Sequence, residues 1–207
     1  MTSRASRLAP IALLALVLLP GAALAWIEYT DQSQFFSINF PREPEVRDFD
    51  YISEYGAALP ARVYSVQDGA SLHALTVVDF NVEESRYGTI DDKTDDTNLT
   101  TMWIYDQRGA IAYEAAKIRQ RASEILYDGW HHIDRVEGIN LVTVNPDGSN
   151  TYAGLYLHAR RLYILEATVP TDAPPQGLFQ QSLAFLDAEG KQIRYDIDPE
   201  GNRTRIR

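Results

Sequence analysis

The chain has 207 residues, with 19 lysines and arginines against 29 aspartates and glutamates, 4 histidines and no cysteine. Without cysteine, disulfides, zinc–thiolate sites and thiol nucleophiles are excluded, and stability has to come from an ordinary hydrophobic core. A formal charge of −10 sets the surface against phosphate backbones and anionic headgroups, which argues against nucleic-acid and membrane-surface binding, although acidity also serves plain solubility.

In chain order, Arg4 and Arg7 precede an apolar run from Ile11 to Leu19, then Pro20-Gly21 and the small-x-small ending Ala23-Leu24-Ala25. That order is the signature of a secretory signal peptide over residues 1–25, with cleavage before Trp26. The apolar run is about half of the roughly 20 residues needed to span a bilayer. No cysteine follows it to carry a lipid, so the expected product is a mature chain of 182 residues, exported to the periplasm or secreted, with no integral membrane segment. Loss of two arginines leaves it near −12. The length suits a single α/β domain, 26–187, followed by a polar tail, 188–207.

Phe36-Ser37-Ile38-Asn39-Phe40 alternates apolar with polar and stops at Pro41, which predicts a first strand. Strands follow at Ala61 to Val66 and Ser71 to Phe80, joined through Asp68-Gly69, a hairpin signal. The acidic stretch 81–100 reads as a solvated loop with N-cap candidates at 97–101. Apolar residues at Ile104, Ile111, Ala115, Ile118, Ala122 and Ile125 recur at the helical period, with Glu114, Lys117 and Arg121 on the other side, so one helix is predicted over about 101–125. Four strand-like runs come next, Trp130 to Val136, Asn140 to Val144, Thr151 to His158 and Leu162 to Val169, with tight links that imply an antiparallel meander. Pro175 then precedes a short helix around Leu178, Phe179, Leu183 and Phe185. In the tail, Gln192 to Ile197 is the strand-like piece.

Phe36-Ser37-Ile38-Asn39-Phe40-Pro41, Arg161-Leu162-Tyr163 and Phe179-Gln180-Gln181-Ser182, in this order of elements, resemble the PsbP/Mog1-like α/β/α sandwich superfamily. The resemblance implies an α+β fold, an antiparallel β-sheet flanked by helices, in a superfamily of binding and accessory roles. It carries over no catalytic residues, and the cysteine of its lipid-anchored members is absent.

Trp130-His131-His132 attracts attention because two histidines suit metal binding or acid–base work. On a strand, neighbouring side chains point to opposite faces, so each would need partners from elsewhere, such as His73 or His158. Asp196-Ile197-Asp198-Pro199-Glu200-Gly201 matches half of a calcium loop, but Arg207 falls where the bidentate acid belongs, and a surface turn explains the same letters. The run Asp91, Asp92, Asp95, Asp96 is interrupted by Lys93. The 12 tyrosines are the most unusual count. On the third meander strand Tyr152, Gly154, Tyr156 and His158 share one face, which is either an aromatic binding surface or one side of the core. No nucleophile elbow, zinc-protease, dinucleotide or Walker motif is present, and no cofactor or metal is expected.

Two functions follow as expectations. The first is a non-enzymatic binding or accessory protein of the bacterial envelope, recognising a protein or glycan through Tyr152, Tyr156, His158, Trp130 and His132. The second is a periplasmic hydrolase using His131 or His132 with a nearby carboxylate such as Asp134. A cleft holding His132, Asp134 and a third polar group would favour the second.

Overall fold

The computed structural model describes residues 26–82, 86 and 99–206. The expected signal peptide, the acidic run 91–96 and the N-cap candidates 97–98 lie outside them. The strands are β1 (Ile27–Asp31), β2 (Phe36–Phe40), β3 (Glu45–Ile52), β4 (Ala58–Asp68), β5 (Ser71–Asp79), β6 (Glu124–Ile133), β7 (Val136–Val144), β8 (Asn150–His158), β9 (Arg161–Val169), β10 (Ala184–Phe185), β11 (Arg194–Ile197) and β12 (Arg203–Ile206). The helices are α1 (Leu99–Arg121) and α2 (Gly177–Gln181), with a 3₁₀ turn at Phe80–Val82. No described helix is long and apolar enough to cross a membrane.

Seven strands form an antiparallel sheet in the order β3-β4-β5-β9-β8-β7-β6, so β3 and β6 are its edges. The expected meander is its second half. Period-2 alternation divides the core between the two faces. On β9, Tyr163, Leu165 and Ala167 enter one cluster while Leu162 and Ile164 enter the other. Ala110, Ala115 and Ile118 of α1 cover the second face, over β7 and β8. The first face is covered by the small sheet β1-β2-β10 and by α2. There Phe36, Ile38 and Phe40 are fully buried, as the alternation predicted. Burying each is worth roughly 1.5–3 kcal/mol.

Three differences from the sequence reading have physical causes. α1 ends at Arg121, and the chain enters β6 at Glu124 because the Ser123 amide and hydroxyl bond the Val144 carbonyl at 2.8 and 2.9 Å. Ala122 and Ile125 are therefore outside the helix. Glu114, expected on the solvated side, is 6% exposed, since Tyr51 donates to its Oε1 at 2.5 Å and Lys117 Nζ at 2.7 Å. β1, which the sequence reading passed over, alternates, with Ile27 and Tyr29 on the core, whereas β3 does not. Of β3 only Tyr51 is buried.

The stretch read as a polar tail folds back as the hairpin β11–β12. Ile193 joins the core, and Tyr195 packs against it. This hairpin meets the sheet where two tight turns lie side by side, Asp134-Arg135 between β6 and β7 and Ala159-Arg160 between β8 and β9. All four turn residues have positive φ (50°, 65°, 48° and 59°) without being glycine. Such turns match the twist of adjoining strands but cost side-chain-bearing residues of the order of 1–2 kcal/mol each. Arg203 donates to the Arg135 carbonyl at 3.4 Å, and Gln192 Nε2 donates to Asp134 Oδ2 at 2.8 Å. The half-matched calcium loop is the tip of this hairpin. Both Asp198 oxygens accept from Asn202, at 2.7 and 2.9 Å, which leaves the surface-turn reading.

Candidate functional site

The face shared by Tyr152, Gly154, Tyr156 and His158 has the expected parity but is not open. Tyr156 is fully buried, His158 is 7% exposed, and Tyr152 is half-buried against the core. The cause is the cover that β2, α2 and β10 put over this side, where the Phe185 ring sits 4.6 Å from His158 and 6.4 Å from Tyr156. Tyrosine suits such a place because its ring fills the interior while its hydroxyl reaches a partner. Tyr64 donates to Asp31 at 2.5 Å, Tyr163 to the Gln34 carbonyl at 2.9 Å and Tyr156 to Asn140 Oδ1 at 2.9 Å. Gly138, paired with Tyr156 across the strands, leaves room for its ring, and a Cβ there would strike that ring and the Leu155 carbonyl. An aromatic binding face on β8 is thereby corrected to core. His158 bonds Tyr195 through Nε2 at 2.9 Å, and burial, helped by the Arg203 charge, pushes its pKa down to about 4.

Trp130 and His132 do reach the surface, on the sheet edge β6. Trp130 pairs with Ile139 and His132 with Glu137, which places both on the α1 side, while His131, opposite Gly138, lies on the other. Opposite faces were expected, but His131 packs against Tyr156 and not under the helix. Its Nδ1 is 3.1 Å from the Tyr156 hydroxyl. That hydroxyl gives its proton to Asn140, so Nδ1 of His131 is the donor in this chain. Burial and the adjacent His132 hold the His131 pKa below its ordinary value, which favours the neutral ring, and in that form Nε2 is its acceptor. β6 is an edge among the described strands, and on it the two imidazoles lie 5.9 Å apart at 29° between planes.

Two clefts adjoin this pair. One, of about 330 Å³, is lined by Trp130, both histidines and Glu137. The other, of about 390 Å³, runs past Asp134 to Gln181, Ser182 and Gln192. The Trp130 indole is 76% exposed and has no ring or hydrogen-bond partner among the described residues, and the side chains of His132, Glu137 and Gln181 make no hydrogen bond among them. The catalytic-looking groups are already engaged. Asp134 binds Gln192 at 2.8 Å and lies 4.0 Å from Arg194, and Ser182 Oγ donates to the Phe179 carbonyl at 3.0 Å and accepts from the Asn39 amide at 3.2 Å. The second cleft thus holds His132, Asp134 and third polar groups, but no imidazole bonds a carboxylate or hydroxyl nucleophile. Among the described residues no group of three or more histidines and acids is placed to hold a metal ion. His73 is remote from the pair, buried with Nε2 3.0 Å from Gln176 Oε1.

A larger cleft, about 460 Å³, opens between β3 and β4 around Asp48, Asp50, Arg62 and Asp79. Its charges largely satisfy one another. Arg62 grips Asp48 through two nitrogens, at 2.5 and 3.2 Å, and Asp79 faces Arg161 at 3.5 Å. The β6 clefts are smaller but keep free polar groups and a bare indole.

Of the residues that complete them, Glu137 was readable in principle, since a two-residue turn at 134–135 sets it opposite His132. Ser182 stood in the Phe179-to-Ser182 motif without a role. Gln192 carried no signal, because only the return of the C-terminal segment brings it to β6.

No family model and no curated protein matches the sequence. Among solved structures, the solution structure of cyanobacterial PsbP (CyanoP) from Synechocystis sp. PCC 6803 is similar at a TM-score of 0.40 and 12% identity, over 76% of this chain and 88% of that one.

Proposed function

We propose that the chain is an exported, non-enzymatic binding module of the bacterial envelope, a PsbP/Mog1-like α/β/α sandwich whose recognition surface is the β6 edge around Trp130 and His132. The observation that carries this reading is the indole of Trp130, 76% exposed and without a partner among the described residues, on an edge strand that also exposes Ile125, Leu126 and Tyr127. Scattered exposed apolar side chains are ordinary, but an apolar cluster on an edge strand marks an interaction site. The residue 1–25 pattern supports export. The test is co-sedimentation of the mature chain, residues 26–207, with isolated envelopes. Wild type is retained, and Trp130→Ala, a solvent-facing change that spares the core, loses about tenfold in retention, as an aromatic anchor should. Equal retention of both forms would remove the surface from the proposal.

A second reading, hydrolysis, is favoured by the meeting of His131, His132, Asp134 and Ser182 along one cleft. It requires Asp134 and Ser182 to exchange their present partners for imidazole. Turnover of simple esters or phosphoesters that disappears in both His132→Ala and Asp134→Asn would establish it in place of the first.

A further inference from the structure

We propose that the paired clefts on β6 bind a neutral glycan, two sugar rings side by side with one stacked on Trp130; this rests on the binding-module reading and names its ligand. A pyranose has an apolar face of C–H groups and a rim of hydroxyls, each both donor and acceptor. Its natural counterpart is a bare aromatic plate beside planar polar groups of both kinds. Trp130 is that plate, its indole with no ring or hydrogen-bond partner among the described residues. Beside it stand the His132 imidazole, the Glu137 carboxylate and, through the Tyr156-oriented tautomer, the acceptor Nε2 of His131. Across the histidines, the second cleft offers the uncommitted amide of Gln181. The clefts share both histidines, so an occupant of one continues into the other.

Charge narrows the ligand. No lysine or arginine is among the described residues lining either cleft, whereas Glu137 lines one and Asp134 the other, and Arg194 at the margin of the second is engaged by Asp134 and Gln192, so an anionic sugar or a phosphate is disfavoured. The Asp134 carboxylate is held by Gln192 and Arg194, which removes most of its pull on a cation. A peptide strand added to β6 is disfavoured by the register break between Ile125 and Tyr127, since a bulge interrupts the row of backbone groups a strand needs.

The experiment titrates the mature chain with β-1,4-linked hexaoses, one of glucose and one of N-acetylglucosamine, by calorimetry and by amide spectra. The pair distinguishes a plain glucan from an N-acetylated, wall-type chain. Saturable binding of one of them is expected, weakened about tenfold or more in Trp130→Ala and severalfold in His132→Ala, with the matching monosaccharide at least tenfold weaker because it fills one cleft. Shifts should fall on β6 and the end of α2. Trp130-dependent envelope retention with neither hexaose bound would sink the glycan and leave the binding module standing, and a peptide that shifts β6 amides instead would reassign the ligand. Absence of both Trp130-dependent retention and sugar binding would sink both, and sugar binding unaltered by Trp130→Ala would overturn the site.

Discussion

Asp106 is a carboxylate in the middle of α1 that is 1% exposed, with Oδ2 lacking any hydrogen-bond partner. Burial pushes its pKa up to about 6, the Glu54 charge adds to this, and bonds from the Ser53 hydroxyl and the Glu54 and Tyr55 amides pull the other way. A carboxyl raised in the folded state contributes its full stability while protonated, below its unfolded value near 4, and loses it as pH rises through about 6. Asp106→Asn keeps an acceptor for the turn while removing the buried charge. Chemical denaturation should show it more stable than wild type by about 1–3 kcal/mol at pH 7.5 and equal to it below pH 4. No gain at pH 7.5 would mean that the carboxylate is better solvated than its burial implies. This residue also explains why α1 was only half legible. The buried stripe Asp106, Ala110, Glu114 carries two acids, so a reading by hydropathy assigned Glu114 to solvent. For Tyr156 and His158 parity gave the shared face but left open whether it was bound or buried, since the cover comes from distant segments, β2, α2 and β10.

Among the elements, the C-terminal hairpin has the narrowest hold. Tyr195 bonds His158, Arg203 stacks on the Tyr195 ring at 4.6 Å, and Arg205 pairs with Asp187. A histidine with depressed folded pKa contributes stability above its unfolded value of about 6.5 and loses it as pH falls through about 4. Acidification across that window should therefore loosen β11–β12 first. Amide exchange of the hairpin is expected to accelerate between pH 6.5 and 4, after correction for intrinsic rates, ahead of the central strands β5 and β9. Uniform exchange across the sheet would dissociate hairpin docking from His158. The meander, β2 and the helices were legible because each announces itself locally, by alternation, by a helical repeat or by a turn residue. In the tail the strand-like Gln192 to Ile197 contains β11, but β3 and β12 were not legible, because their strand character comes from the neighbour they pair with, and the short alternation of β1 was passed over.

For the whole molecule, one wide antiparallel sheet keeps its two faces dry with unlike covers, a long helix on one side and a small sheet with a short helix on the other. The unequal cover leaves β6 and β3 as free edges. The β6 clefts, with no lysine or arginine among their described lining residues, are where an uncharged ligand is proposed. The two glycine-free turns beside the hairpin have a further consequence, in time. The meander from Glu124 to Val169 is made of neighbours in sequence, so its loops close at low entropic cost, whereas the β5–β9 pairing must bridge the long span between them. The strained Ala159-Arg160 turn, the last of the three in that local unit, is then expected to form before the folding barrier is crossed. Ala159→Gly relieves the left-handed strain without deleting a side-chain contact of the site. Stopped-flow kinetics should find folding about two- to fivefold faster and unfolding nearly unaltered, the pattern of a bend already formed at the barrier. A change confined to unfolding would instead place that bend among the last parts of the molecule to form.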